Sequence, residues 1–247
     1  SHQLLLALKS KYPHVLEVRY EFALCLVKQK ETREAESELH QAEDEFELLD
    51  EDTNCLLGRI TKDRADTALR KKHWAKAEQN YRQSIDRYRQ AVGPEGGNWF
   101  PGINLATLQL VLASVLAIRA GDGSASPGSE NSLRTEITLL RKRSHESAES
   151  VLASCKAGQQ TLQDDNIWLR ATEAEARLLL EHWKASSRLY ADALSERNAK
   201  TFHCDSMKTQ AGRICDAYQR LNVAVESPFD DLDSLFVLGE SVSDTSA

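Results

Sequence analysis

The chain has 247 residues, 41% of them hydrophobic and 28% charged, with 31 Lys and Arg against 38 Asp and Glu and a net charge of −7. That length allows one extended domain or two small ones, and the apolar fraction suffices for a core. With only 11 Gly and 5 Pro, and no long Val/Ile/Thr runs, an all-β sandwich or barrel is excluded, because it needs a turn every 8–12 residues or so. No stretch approaches the roughly 20 apolar residues of a membrane span, and the negative balance argues against nucleic acid as the main partner.

Helical periodicity dominates. Leu4-Leu5-Leu6-Ala7-Leu8 is too short for a secretory leader and runs into Lys9. The opening Ser and the single methionine, Met207, are expected of a piece excised from a longer chain, with Ser1-His2 as tag remnants. Helices are predicted over 14–29, 32–48, 52–70, 73–92, 101–119, 133–157, 166–181, 184–196 and 205–222. Gly93-Pro94-Glu95-Gly96-Gly97 closes the fourth, Gly121 to Ser129 reads as a flexible loop, and Asp164-Asp165-Asn166 can cap the helix that follows. Five cysteines lie far apart with no CxxC. An odd, scattered set reads as reduced thiols in a cytoplasmic helical protein.

A small–x3–large–x2–small pattern recurs in the second helix of successive pairs: Ala35, Leu39, Ala42; Ala77, Tyr81, Ser84; Ala148, Leu152, Cys155; Ser186, Tyr190, Ala193. Small residues let two helices of a hairpin approach closely, and the large one fills the gap to the next hairpin. This is a tetratricopeptide-like signature, although the intervals of 42, 71 and 38 residues depart from the regular period of about 34. The expected fold is an all-α, tetratricopeptide-like α-solenoid of four to five helix hairpins with irregular repeat lengths. It would occupy residues 1–222, followed by an acidic segment over 223–247.

Three strings resemble a narrower family. Leu57-Gly58-Arg59-Ile60-Thr61-Lys62-Asp63 is similar to a GRIYKD-like string, with Thr61 in place of the usual aromatic; Phe100-Pro101-Gly102-Ile103-Asn104-Leu105-Ala106 is similar to [YF]xGIN; Trp168-Leu169-Arg170-Ala171-Thr172-Glu173-Ala174-Glu175-Ala176 is similar to WxxATxxEA. In this order, over roughly 15–222, they resemble the TRAFs-binding domain family of apoptosis signal-regulating kinases and scattered bacterial multidomain proteins. The resemblance implies a tetratricopeptide-type solenoid acting as a regulatory or interaction module. It implies neither binding of TRAF adaptors nor an attached kinase.

Read without the family, these residues suggest a groove. In helix-pair repeats the first helix of each pair lines the concave face, where residues three or four apart share a side. Arg59, Lys62 and Asp63 fall on one such side, beside a glycine that permits close approach; Asn104 lies in the first turn of its helix; Trp168, Arg170 and Glu175 belong to the first helix of the fourth pair. Cations, an amide, a carboxylate and an aromatic wall suit a peptide or a polar small molecule. Each residue also has a structural reading: Trp168 as core, Arg59 and Asp63 as an i,i+4 surface pair, Asn104 as a cap.

Charge is uneven. Residues 31–52 carry eleven acids and one base, whereas 59–89 carry ten bases and four acids. Electrostatic matching between neighbouring repeats explains this, with a docking surface for a charged partner as the alternative. After Arg220 there is no further base and six acids appear, interleaved with apolar residues such as Phe229 and Phe236. That segment can cap the last hairpin, fold back elsewhere on the solenoid, or begin a linker.

Catalysis finds no support. His203-Cys204-Asp205 are consecutive and point apart on a helix, no HExxH, P-loop, GxSxG or GxGxxG occurs, and the seven histidines form no i,i+4 pair. No cofactor, metal, nucleic acid or membrane is expected. The function expected is a non-enzymatic scaffold of a larger signalling or defence-type protein that binds a protein or peptide. A sensor for a nucleotide-like or other polar small molecule is the alternative, and an oligomerisation spacer a third reading.

Overall fold

A computed structural model describes residues 2–93, 98–121, 127–161, 167–196 and 198–237. Among these the protein is all-helical, with eleven helices packed as pairs and no strand. The chain divides into two compact units, Ser1–Pro94 and Glu95–Ala247.

The first unit contains α1 (His2–Lys11), α2 (Leu16–Lys28), α3 (Thr32–Glu45), α4 (Glu51–Arg70) and α5 (Trp74–Val92). Helices α2 and α3 form one hairpin and α4 and α5 another, with α2 and α3 both reaching α4. Phe22, Ala23 and Leu26 of α2 meet Ala35 and Leu39 of α3 and Leu56, Leu57 and Ile60 of α4 in one cluster. Helix α1 is an element that periodicity did not predict. It packs on α2 yet has no buried residue, so its short apolar run carries little pattern.

The acids of α3 are taken up inside this unit. Glu38, only 5% exposed, pairs with Lys9 of α1 and Arg19 of α2. Glu36 pairs with Arg64 of α4, and Glu43 receives both terminal nitrogens of Arg87 of α5, at 2.5 and 2.7 Å. Neighbouring helices of opposite charge are therefore matched side chain to side chain.

The second unit contains α6 (Trp99–Gly121), α7 (Pro127–Thr161), α8 (Ile167–Leu179), α9 (Trp183–Leu194), α10 (Thr201–Arg220) and the short α11 (Leu232–Leu235). Helices α6 and α7 pair, α8 and α9 pair, and α6, α8 and α10 touch one another. Helix α7 starts at Pro127, several residues before the predicted start, because Pro is suited to a first helical turn. The Gly/Ser positions 122–126, the run 94–97 and the proposed caps at 164–166 lie outside the described residues. Helix α6 corrects one expectation: by length and composition it could cross a membrane, but 89% of its most apolar window is buried inside the protein. Every residue from Pro101 to Leu116 is buried, which is why its sequence is apolar all round.

Two devices recur across the hairpins. The first is a turn. Helices α2, α4, α8 and α10 each end on a left-handed residue, namely Lys30 (φ 67°), Lys72 (φ 59°), Glu181 (φ 60°) and Asn222 (φ 57°). In each case the next amide donates back to a carbonyl five residues earlier, as from Glu31 to Leu26, His73 to Ala68, His182 to Arg177 and Val223 to Tyr218. This satisfies carbonyls that the helix end would leave bare. Glu31, His73 and His182 then serve at once as the N-caps of α3, α5 and α9.

The second device is close contact. Ser84, Ser144 and Ser186, all fully buried, donate hydroxyls to the carbonyls of Gly58 (2.7 Å), Ala106 (2.8 Å) and Ala174 (2.7 Å) on the first helix of their pair. Ala35, Leu39, Ala42, Ala77, Tyr81, Ala148, Cys155, Tyr190 and Ala193 are all buried as the repeat pattern requires. Leu152 departs from it: Val151 takes the buried place, and Leu152 is only half-buried. The one-residue shift follows Gly102, where an added Cβ would lie 2.8 Å from Val151 Cγ2.

After α10 no second long helix is described. The segment from Val223 packs instead through Phe229 and Phe236, which are 2% and 5% exposed. Phe229 lies against Trp183 and Tyr190, and Phe236 against Tyr190, at ring separations of 6.0, 6.2 and 4.9 Å. Lys208 pairs with Asp233 and holds α11 on α10.

Candidate functional site

In the first unit the predicted trio separates. Arg59 is exposed on α4, and the ammonium of Lys62 sits 5.9 Å from the centre of the Tyr88 ring. Asp63 lines a groove of about 620 Å³ with Arg33, Arg64, Lys71 and Lys76, a lining that includes neither Arg59 nor Lys62. The close approach that Gly58 permits is used within the fold, by the Tyr88 ring of α5. Thr61, where the family string has an aromatic, is buried and donates its hydroxyl to the Leu57 carbonyl at 2.8 Å.

In the second unit three predicted residues converge. Asn104 of α6, and Trp168 and Glu175 of α8, line one cavity of about 290 Å³. Helix α6 adds Trp99, Phe100 and Ile103, helix α8 adds Ala171 and Thr172, helix α9 adds Tyr190, and helix α10 adds Ser206, Met207 and Gln210. Within α6, α8 and α10 these positions recur every three or four residues, so each helix turns one face to the same space. Arg170 is not part of this wall. It is exposed and pairs with Glu196.

The polar groups in the cavity are few and deeply set. Glu175 is 7% exposed and accepts from the Thr107 hydroxyl at 2.8 Å and the Gln210 amide at 3.4 Å. Asn104 donates to the Phe100 carbonyl at 3.0 Å and does not cap its helix; Asn98 does, accepting from the Phe100 amide at 3.2 Å. Tyr190 is 1% exposed, and its hydroxyl has no hydrogen-bond partner among the described residues. Burial, reinforced by the charge of Glu175, pushes its ionisation well above the ordinary tyrosine value, so it is a neutral phenol. Trp168, 39% exposed, stands at the mouth with its ring edge-to-face on His203 at 5.0 Å and tilted against Phe202 at 6.2 Å.

His203 and Cys204 have structural work. The His203 ring accepts the Lys200 amide at 3.0 Å, and desolvation lowers its pKa, which keeps that nitrogen available. The Cys204 thiol donates to the Phe236 carbonyl at 3.1 Å, and burial pushes its pKa up. Among the described residues no three His, Cys, Asp or Glu side chains stand where they could hold a metal ion.

Tyr190, Trp99, Met207 and Gln210 were not among the residues expected at a site. Tyr190 carried a signal as the large member of a repeat, but for packing. The others lie on helices whose approach to α8 is set by tertiary contacts.

Residues 2–109 match the family model described as Tetratricopeptide Repeats-Sensor. The matched stretch takes in the first unit and the opening turns of α6, including Arg59, Lys62, Asp63 and Asn104, and stops before Trp168 and Glu175. No curated protein and no solved structure matches the chain. The protein is thus an all-helical module built on tetratricopeptide-type repeats, and over its first part it is similar to a sensor family. The likeness to the TRAFs-binding family rests on the three strings alone.

Proposed function

We propose that the protein is a sensor-type recognition module that acts by binding, not catalysis, and that the cavity of its second unit takes a compact small molecule. The observation that carries this is the buried, unpartnered hydroxyl of Tyr190 in the same cavity wall as Glu175, Asn104 and Trp168. A buried hydroxyl without a partner costs about 1–3 kcal/mol, which a ligand that bonds to it would recover. The sensor family matched by residues 2–109 supports the same reading. The TRAFs-binding likeness supports placing the module in the regulatory part of a larger signalling or defence-type protein. Five free thiols suit a reducing, cytoplasmic setting.

The test is thermal unfolding of the full chain against a library of polar metabolites. A ligand at a hundredfold excess over its Kd adds about 2.7 kcal/mol, or roughly 5–10 °C in Tm. Thr172→Trp, which fills the cavity from its α8 wall, is expected to abolish the shift. A shift that survives in that variant places the ligand elsewhere.

A second reading is favoured by the groove of the first unit, where Arg33, Arg64, Lys71 and Lys76 stand with Glu36 and Asp63. Mixed charge over about 620 Å³ suits a charged peptide segment. This is the protein-partner reading, confined to that unit.

A further inference from the structure

If the groove of the first unit holds a peptide, its walls also say what kind of peptide it selects, and the choice of partner rests on that reading. The hollow of about 620 Å³ runs on into a second of about 750 Å³, and Arg33, Glu36, Arg64 and Lys76 line both. The floor is α4, through Leu57, Ile60, Thr61 and Ala68, all buried; one wall is α3 and the other α5. From Leu57 to Lys71 the groove follows α4 for about 21 Å, the length of about six extended residues.

The charges along it are sorted. Glu36 is taken by Arg64, Glu43 by Arg87 and Asp86 by Arg89. Lys30, Arg33, Lys71 and Lys76 gather in the first hollow and enter no ion pair among the described residues. Two carboxylates stand there in the same way, Glu34 and Asp63, so the cations outnumber them four to two. One turn along α5 from Lys76, Asn80 lines the second hollow. It is 8% exposed, and its amide nitrogen has no hydrogen-bond partner among the described residues. A buried donor of this kind is completed by an acceptor brought from outside.

A basic segment would set its charge against the four cations. A nucleotide would bring charge of the right sign, but neither hollow is lined by Phe, Tyr or Trp on which a base could stack. An extended acidic peptide satisfies the whole groove: its carboxylates reach the cations, a backbone carbonyl accepts from Asn80, and small apolar side chains rest on the floor.

We propose that the groove between α3 and α5 is a docking surface for an extended acidic segment of a partner protein, with Arg33 and Lys76 pairing its carboxylates and the Asn80 amide donating to its backbone.

The experiment is fluorescence anisotropy of labelled octapeptides titrated with the full-length chain at physiological salt. The peptides share one pattern, five Asp, two Leu and one Gly, with Asn or Lys replacing every Asp in the two controls. The Asp peptide is expected to bind saturably and at least tenfold more tightly than either control. Arg33→Ala combined with Lys76→Ala, both at exposed positions, should weaken it at least tenfold. Asn80→Leu should weaken it several-fold while raising Tm, because that variant no longer buries a donor without a partner. The proposal is overturned if either control equals the Asp peptide, if the double variant or Asn80→Leu binds it as the parent does, or if ATP binds and the Asp peptide does not. Should the Lys peptide bind instead and be lost on Asp63→Asn, the groove remains a peptide site and the choice of an acidic partner is wrong. Should no peptide bind, the peptide reading of the groove fails with it.

Discussion

A methyl group added at Gly58 would lie 2.9 Å from Cε2 of Tyr88, whose ring is 2% exposed and held between helices. Alanine gains about 1 kcal/mol over glycine in a helix interior, and overpacking costs about 1–3 kcal/mol. Gly58→Ala is therefore expected to lose about 1 kcal/mol net, seen as a lower urea midpoint. Made in a Tyr88→Leu background, which carries its own cavity cost, the same Gly58→Ala change should cost nothing or stabilise slightly, because the clash is removed and the helix gain stays. A single variant as stable as the parent would mean that the ring yields freely. At this scale the glycine itself was legible as a point of close approach. Its partner was not, since Tyr88 is thirty positions away and belongs to the next helix.

Helix α3 shows how charge acts at the level of an element. Its acids are divided among Lys9, Arg19, Arg64 and Arg87, which come from four different helices. The Arg87 guanidinium bonded to Glu43 holds that carboxyl below its ordinary value of 4.5. A depressed carboxylate contributes stability that is fully present above pH 4.5 and is lost as the pH falls below it, through the folded-state value. Arg87→Met should thus lower Tm at pH 7, and the gap from the parent should narrow when both are scanned near pH 3. A gap independent of pH would show that Arg87 contributes by packing alone. Charge counts alone pointed to matching between neighbours, but not to these pairs. The turns were less legible still: Lys30, Lys72, Glu181 and Asn222 adopt the left-handed conformation that usually advertises itself as glycine.

For the molecule as a whole, the division at Pro94 separates two kinds of surface. The charged groove is lined wholly by residues of the first unit and the aromatic cavity wholly by residues of the second. Cutting the chain there is expected to give two fragments that each retain a helical far-ultraviolet spectrum. Small molecules that stabilise the full chain should bind 95–247 alone, while charged peptides should bind 1–94 alone, the latter with an association rate that falls as salt is added. Loss of helix in either fragment would show that the compact units do not fold independently.

Periodicity, spacing and small residues were enough to establish an all-helical, paired architecture, because a helix and its hairpin partner are specified within a few tens of residues. Where Ala35, Tyr81, Ser84 and Ser186 stood in the pattern, they are buried between paired helices. The cavity belongs to a different order of information. Asn104, Trp168, Tyr190 and Gln210 come from four helices and meet only because α6, α8 and α10 pack side by side. Local pattern says which face of each helix is apolar, but not how far neighbouring faces stand apart. That spacing, which leaves one phenol unpartnered next to one carboxylate, is set by the packing of the whole unit.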